Sequence, residues 1–376
     1  MLIVHVKRLC DENKKSIMYL MTKTKAPNPK KQLLILMVVA VIGFVLLLIF
    51  QRSTLEDTWQ TLLEVDLRYV LLLPLLQVLN YYFIGTYYRK MFEVFGAKIS
   101  VARSWGVVAA MNFVNQVLPS GGLSGITYLA YGFRAKIATG KTALVQIGRY
   151  MFAFTGYLLL SPVAIGLIYT DGESENLNKF VDTATSDWTA LIVVAIFVLL
   201  MGSVVASFFN RKVSQVIGRI SLKFVNTVNS KVLRRKKDYR FEPLKKLNHE
   251  FHQGTDFIKD KGWRAITPSV NMLLSVLVEV SIVYMSVLAV GGGVGIGPVF
   301  LAFVAANVVG VISIIPGDVG VHEATVIVVL EAFGVSRPAA VSATLLYRVF
   351  NKFIFLPIGF YFYARILKPA LGAKGE

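Results

Sequence analysis

The sequence predicts an all-α polytopic membrane protein with six full transmembrane helices and two re-entrant helical hairpins in an inverted repeat. Three observations carry that expectation. The 376 residues are 55% hydrophobic, with several apolar runs of about twenty, the length that spans a hydrocarbon core of ~30 Å. Two apolar regions are interrupted by helix-breaking sequence, at Leu118-Pro119-Ser120-Gly121-Gly122-Leu123-Ser124-Gly125 and at Ile315-Pro316-Gly317-Asp318-Val319-Gly320-Val321-His322-Glu323. Proline removes an amide donor and glycine loosens the backbone, so a helix breaks there. In hydrocarbon such a break survives only where protein or a water-filled cavity surrounds it. Finally, the net charge of +18 is concentrated: residues 1–31 carry eight Lys/Arg against two acids, and residues 210–264 carry fifteen against five. Those two segments hold +16 of the total, as expected if both face anionic lipid on the cytoplasmic side.

In chain order, residues 1–31 form a basic cytoplasmic leader. Gln32 to Phe50 reads as an uncleaved first span, because it exceeds a signal core and lacks a small-residue cleavage pattern after it. A short amphipathic link with Glu56, Asp57, Glu64 and Asp66 leads to a second span, Tyr69 to Tyr88, followed by Arg89, Lys90, Lys98 and Arg103. Ser104 to Leu118 and Leu123 to Phe133 are each too short to cross at about 1.5 Å per residue. A hairpin over 104–133 is expected rather than one bent crossing, because only the hairpin keeps every later basic segment on one side. Thr142 to Thr170 then crosses outward, and Asp171, Glu173, Glu175, Asp182 and Asp187 mark the exterior.

The return span covers 188–209. In the 210–264 loop, Val213, Val216, Ile217, Ile220, Phe224, Val228 and Val232 recur at helical spacing among cations, an amphipathic helix for the headgroup layer or the inner face of the bundle. A second, shorter helix fits Pro243 to Lys259. A solvated connector that orients the protein is the plainer reading of this loop. Ile266 to Val290 crosses outward to a glycine turn, a second hairpin occupies 299–333, and Pro338 to Ala364 is the last span. Both termini are then cytoplasmic. The first repeat covers 32–170, and the second 188–209 with 266–364. Pro119 and Pro316 lie 197 positions apart and Arg149 and Arg348 lie 199 apart, loosely matched pairs in the arrangement many transporters use for alternating access.

Candidate chemistry gathers at the breaks. A half-helix that starts near mid-membrane presents unpaired N–H groups and a positive dipole end, which attract an anion. The expected substrate-binding set is Gly121, Gly122 and Ser124 in the first hairpin, Gly317 and Gly320 in the second, Asn115 and Asn307 on the approaches, and Arg149 and Arg348 within spans. The alternative is that these glycines permit close helix packing. Ionisable residues inside spans are functional candidates, and Glu279 is expected to pair with Arg348 or Lys352. Asp318, His322, Glu323, Glu279 and Lys352 form a gating or proton-coupling set. With four histidines and no ligand pair at metal spacing, no metal site is expected, and no cofactor. No nucleophile–base pair, nucleotide loop or paired-carboxylate site is present, so the chain is not expected to be an enzyme. Cys10, the single cysteine, cannot form an internal disulfide. Nucleic acid is excluded as a partner because no stacking platform accompanies the charge.

At Pro316-Gly317-Asp318-Val319-Gly320-Val321-His322-Glu323-Ala324, and at Leu118-Pro119-Ser120-Gly121-Gly122 with Arg149 and Arg348, the chain resembles the lysylphosphatidylglycerol synthase transmembrane region family, a flippase-like integral membrane domain. The resemblance covers roughly residues 32–367. Asp318 stands where the family's Pro-Gly-Gly-x-Gly-x-x-Glu signature has its second glycine, and the first motif lacks an acid matching Glu323. The residues after the membrane region are too few for a soluble aminoacyltransferase domain, so the expectation drawn from the resemblance is lipid translocation rather than aminoacyl-lipid synthesis. The leading expectation is a flippase for an anionic or phosphate-bearing lipid, of the aminoacyl-phospholipid or polyprenyl-phosphate type, in the cell membrane. The alternatives are a proton-coupled transporter of a small anion, and a non-transporting membrane partner of a lipid-modifying enzyme.

Overall fold

Helix α2 (Leu67–Val94) turns most of its leucines outward and its amides inward, which is the arrangement a lipid solvent selects. Leu67, Leu71, Leu75 and Val78 are exposed, whereas Gln77, Asn80, Tyr87 and Tyr88 are buried. In hydrocarbon the polar side chains find partners only inside the bundle. The computed structural model describes residues 55–117, 137–186, 210–231, 262–312 and 318–372, with isolated positions at 128–129, 132–133, 199, 202–203, 206, 248–249, 252–253 and 255–256. The expected leader, the span over 32–50, most of the 188–209 span and the tips at 118–127 and 313–317 lie outside the described residues.

The described elements are all helical: α1 (Leu55–Leu63), α2 (Leu67–Val94), α3 (Val101–Val117), α4 (Thr139–Thr170), α5 (Ser174–Ser186), α6 (Arg211–Lys231), α7 (Trp263–Ala289), α8 (Ile296–Ile312), α9 (Val321–Ala332), α10 (Arg337–Arg348), a π-helical segment (Val349–Phe353) and α11 (Leu356–Gly372). Four stretches are long and apolar enough to cross a membrane: Leu67–Val94, Gly140–Thr170, Ile266–Ala289 and Arg337–Arg365. They coincide with four of the six expected spans. The 24 to 31 residues of each give about 36–46 Å of helix, so each can cross ~30 Å of hydrocarbon with tilt.

The most extensive packing is between α2 and α7, and the two helices run antiparallel. Asp66 N–H at the start of α2 donates to the carbonyl of Ala289 at the end of α7 (2.8 Å), and further along Ser275 Oγ donates to Asn80 Oδ1 (2.6 Å). Two further pairs flank this centre. Helix α3 packs on α11 and α8 packs on α4. The first is closed by Gly106 against Phe362 and Gly359 against Phe113, the second by Gly297 against Ala164 and Ile168. Two apolar cores result. One is built around α7, α8, α9 and α10, and the other around the second half of α2, α3 and Tyr128, Leu129, Phe133 and Ile137, with α11 against it.

Short helices α8 and α9 pack side by side, and α9, with 12 residues, spans only about 18 Å. In the first half, the chain that leaves Arg103 along α3 is beside it again at Phe133, whose ring lies 5.1 Å from the Arg103 guanidinium and stacks on Phe92 at 4.5 Å.

Two elements differ from the expectation. The acidic stretch after α4 contains a helix, α5, because Leu177 and Phe180 fall on one face. Leu177 is buried, and Phe180 meets Phe333 at 6.2 Å. Glu173 ties this region to the loop before α8 by accepting from Gly295 N–H (3.1 Å). The link over Glu56 and Asp57 is also a helix, α1, held against α10 by Ser342 Oγ donating to the Thr58 carbonyl (3.3 Å). Helix α6 forms as expected, leaving Val216 and Ile220 exposed and pairing Arg211 with Asp256 (2.5 Å).

Candidate functional site

The strongest electrostatic feature of the interior joins α9 to α10. Glu323, in the first turn of α9, accepts from Gly320 N–H through Oε2 (2.7 Å), and its Oε1 forms an ion pair with Arg348 Nε. Arg348 also donates to the Asp318 carbonyl through Nη2 (3.3 Å). Both side chains of the pair are about 3–4% exposed. One carboxylate therefore caps the helix and neutralises the guanidinium. The capped amide is one of the donors expected to face an anion, so in this arrangement Gly320 N–H is already engaged. Among the described residues, Asp318, with φ +55, is the non-glycine residue in the left-handed region. Aspartate tolerates that conformation better than most residues, which accounts for its standing at a position where the family signature has glycine. Its carboxylate rests against Gly310 of α8. His322 is buried and stacks on Tyr347 at 5.6 Å.

A second polar group occupies the α2–α7 crossing. Asn80 Nδ2 donates to Glu279 Oε1 (3.0 Å), and Gln77 Nε2 donates to the Asn351 carbonyl (2.8 Å). Asn112 of α3 donates to the Tyr81 hydroxyl (3.0 Å) and the Lys352 carbonyl (3.3 Å). The two accepting carbonyls belong to the π-helical segment, where the regular ladder is interrupted. Amides from α2 and α3 thus satisfy irregular backbone that lipid cannot. Replacing Gln77 with leucine strands the Asn351 carbonyl and is expected to cost about 1 kcal/mol, read as a lowered unfolding midpoint of the purified protein. An unchanged midpoint would show the contact to be dispensable.

On α4, Gln146 Oε1 accepts from the Tyr88 hydroxyl (2.6 Å) and the half-buried Arg149 lies 6.0 Å from the Tyr150 ring, while Lys352 is half-buried in the π-helical segment. The structure therefore brings together Arg348, Glu323 and Asp318 at the second break, and Glu279, Asn80 and Gln77 at the α2–α7 crossing. It departs from the expected pairing of Glu279 with Arg348 or Lys352: the hydrogen bond to Glu279 comes from Asn80, and the partner of Arg348 is Glu323. Asn307 is half-buried and bonds back to the Phe303 carbonyl (2.8 Å), so it is turned to its own helix. Asn115 is half-buried near the end of α3, with Oδ1 unpartnered among the described residues. Gly121, Gly122, Ser124 and Gly317 lie outside the described residues. Sequence reasoning missed Gln77, Asn80, Ser275 and Asn351. Their signal was a pair of amides one turn apart in an otherwise leucine-rich span.

Among the described residues no group of three His, Cys, Asp or Glu side chains is placed to hold a metal. The family model for the lysylphosphatidylglycerol synthase TM region matches residues 34–359. The chain belongs to this family. Within the lysylphosphatidylglycerol synthase transmembrane-region family, the match takes in every described helix through α10 and the π segment, together with both interrupted motifs. No curated protein matched the chain. With four described spans and this family assignment, the protein is a multi-pass membrane protein related to lipid handling.

Proposed function

We propose that the protein is a flippase that moves an anionic or phosphate-bearing lipid between leaflets, its headgroup passing through the charged interior while the acyl chains remain in lipid. The observation that supports this reading is charge and amide held inside the spans: Asn80 donates to Glu279 Oε1 (3.0 Å) and accepts from Ser275 (2.6 Å), and Arg149 is half-buried on α4, inside a bundle whose outer face is rich in leucine. Buried charge in a span is costly and is retained for transport or pairing. Membership in a lipid-handling family supports lipid as the cargo.

An inverted repeat supplies the alternating motion. Its support is a shared offset: Asn80 and Glu279, which touch, are 199 positions apart, and so are Arg149 and Arg348. Equivalent residues meet where a two-fold axis passes between equivalent helices. The antiparallel α2 and α7 have that relation, and the α3–α11 and α8–α4 pairs exchange partners across it. The basic segments orient both termini toward the cytoplasm under the positive-inside rule.

The proton-coupled anion transporter is less well supported, because Glu323 is committed to Arg348 and Gly320, and His322 is enclosed against Tyr347. The test is leaflet-resolved movement of a labelled anionic phospholipid in proteoliposomes. Arg149→Gln is expected to slow translocation about tenfold or more while leaving the unfolding midpoint near that of the native chain. Native-like translocation by a folded, inserted Arg149→Gln variant would overturn the assigned role.

A further inference from the structure

Helix α6 leaves one face uncovered. Lys212, Val216, Arg219, Ile220 and Lys223 are exposed, whereas Val213, Ser214 and Ile217 are half-buried. The exposed set follows the i, i+4, i+7, i+8, i+11 spacing of one helical stripe. Within it Val216 is 52% and Ile220 63% exposed, so two branched apolar side chains stand together among three cations. The opposite face is taken. Ser214 Oγ donates to Asn248 Oδ1 (2.7 Å) and Arg211 pairs with Asp256 (2.5 Å), while His252 and Thr255, which lie between those two partners in the chain, are buried. Among the described helices none packs extensively on α6, so no described part of the bundle covers the stripe.

Both ends of this unit place it at the edge of the hydrocarbon. Asn210 N–H donates to the Ala206 carbonyl (2.9 Å), closing the helical turn before α6, and Asn210 Oδ1 accepts from Lys212 N–H (2.9 Å). One residue therefore ends the span expected over 188–209 and caps α6, which leaves no linker to carry the helix away from the membrane. At the other end, the segment that grips α6 reaches Asp256, seven residues before Trp263. Trp263 opens α7 at 70% exposure, with the Arg264 guanidinium 5.2 Å from its ring. An exposed tryptophan beside a cation at the mouth of a span marks the membrane–water interface. An anionic headgroup layer matches both properties of the stripe, because branched side chains enter the acyl boundary while the cations stay among phosphates. The charge of the whole loop agrees: residues 210–264 carry fifteen Lys/Arg against five acids.

We propose that α6 is a surface-bound helix. Val216 and Ile220 seat in the headgroup layer of a leaflet rich in anionic phospholipid, and Lys212, Arg219 and Lys223 lie against its phosphates. The connector between the two halves of the chain is then fixed to the membrane by lipid charge rather than solvated. This contact concerns surface lipid and not cargo, so it stands or falls separately from lipid translocation.

The experiment uses the full chain with Cys10→Ser and Val216→Cys, a nitroxide attached at position 216, in nanodiscs of phosphatidylcholine alone or with about one third phosphatidylglycerol. Accessibility of the label to oxygen, which concentrates in lipid, is compared with accessibility to a water-soluble nickel chelate. The oxygen-to-nickel ratio should be about threefold or more higher in the anionic nanodiscs, and should fall back at ~0.5 M salt. Adding Lys212→Gln and Lys223→Gln should lower the ratio of seated to unseated helix about tenfold. A label at Ile220→Cys repeats the reading with Val216 intact, so the loss of one apolar side chain does not decide it. A label open to the chelate in both lipid compositions overturns the proposal. Equal seating in both compositions, or seating that survives the loss of both lysines, overturns it as well. Protection from both reagents would mean that a protein surface covers the stripe, and would also overturn it.

Discussion

Arg348→Ala is expected to lower stability by about 3–5 kcal/mol, because it leaves the Glu323 carboxylate buried without its counter-charge. The side chains are almost fully enclosed, at about 3–4% exposure, so water cannot replace the lost partner. One compensation remains: Glu323 Oε2 keeps its hydrogen bond from Gly320 N–H, and protonation of the carboxyl would relieve part of the penalty. Glu323→Gln alone should also destabilise, since it preserves the shape of the cap but leaves the guanidinium uncompensated. The double variant Arg348→Met with Glu323→Gln removes both charges while keeping much of the volume. It should recover most of the loss, with a coupling of about 2 kcal/mol or more between the sites. Unfolding of the purified protein in a denaturing-detergent titration measures all three. A native midpoint for Arg348→Ala would mean the pair does not hold α9 to α10. The same result decides how transport assays are read, because a variant that loosens the hairpin cannot report on headgroup binding.

That role for Arg348 was only half legible in the sequence. Its depth in the last span marked it as needing a buried acid or a ligand, and Glu323 was visible as an acid in the first turn of a half-helix. What the sequence could not supply was their relative rotation, since the chain between them passes through the turn at Gly334 (φ +89) before α10 begins. Four spans were legible because lipid imposes a length and a composition on each crossing. The amide-lined interior was harder to see. Gln77 and Asn80 sit among leucines, and their partners, the Asn351 carbonyl and Glu279, lie about two hundred residues or more further along the chain. The π segment was invisible for another reason: Val349-Phe350-Asn351-Lys352-Phe353 reads as ordinary helix. Its register break is tolerated only because Gln77 and Asn112 reach its carbonyls from distant helices. Helix α5 was masked by its acids, which read as an exterior marker, although Leu177 and Phe180 carried an apolar face.

Gly359→Ala provides the second large effect, and its sign depends on which of two opposing terms wins. In an exposed helix, alanine for glycine gains about 1 kcal/mol by reducing backbone freedom in the unfolded chain. At Gly359 a Cβ would run into the Ala109 carbonyl oxygen of α3 and lie 2.8 Å from Phe113 Cβ. The carbonyl is fixed in the α3 backbone and cannot rotate away, so α3 and α11 must separate. Overpacking of this kind costs about 1–3 kcal/mol, and losing close contact along a small-residue seam in lipid adds to it. A net loss is expected, larger for Gly359→Leu. Gly166, on the exposed face of α4, has nothing within 4 Å of the same added atom, so Gly166→Ala should be neutral or gain up to about 1 kcal/mol. Parallel unfolding titrations of the two alanine variants separate the terms. If both shift the midpoint equally, α3 and α11 are not in the close contact described. If only Gly359→Ala destabilises, the contact that carries the last span, and with it the π segment and Lys352, is fixed by the absence of a single methyl group.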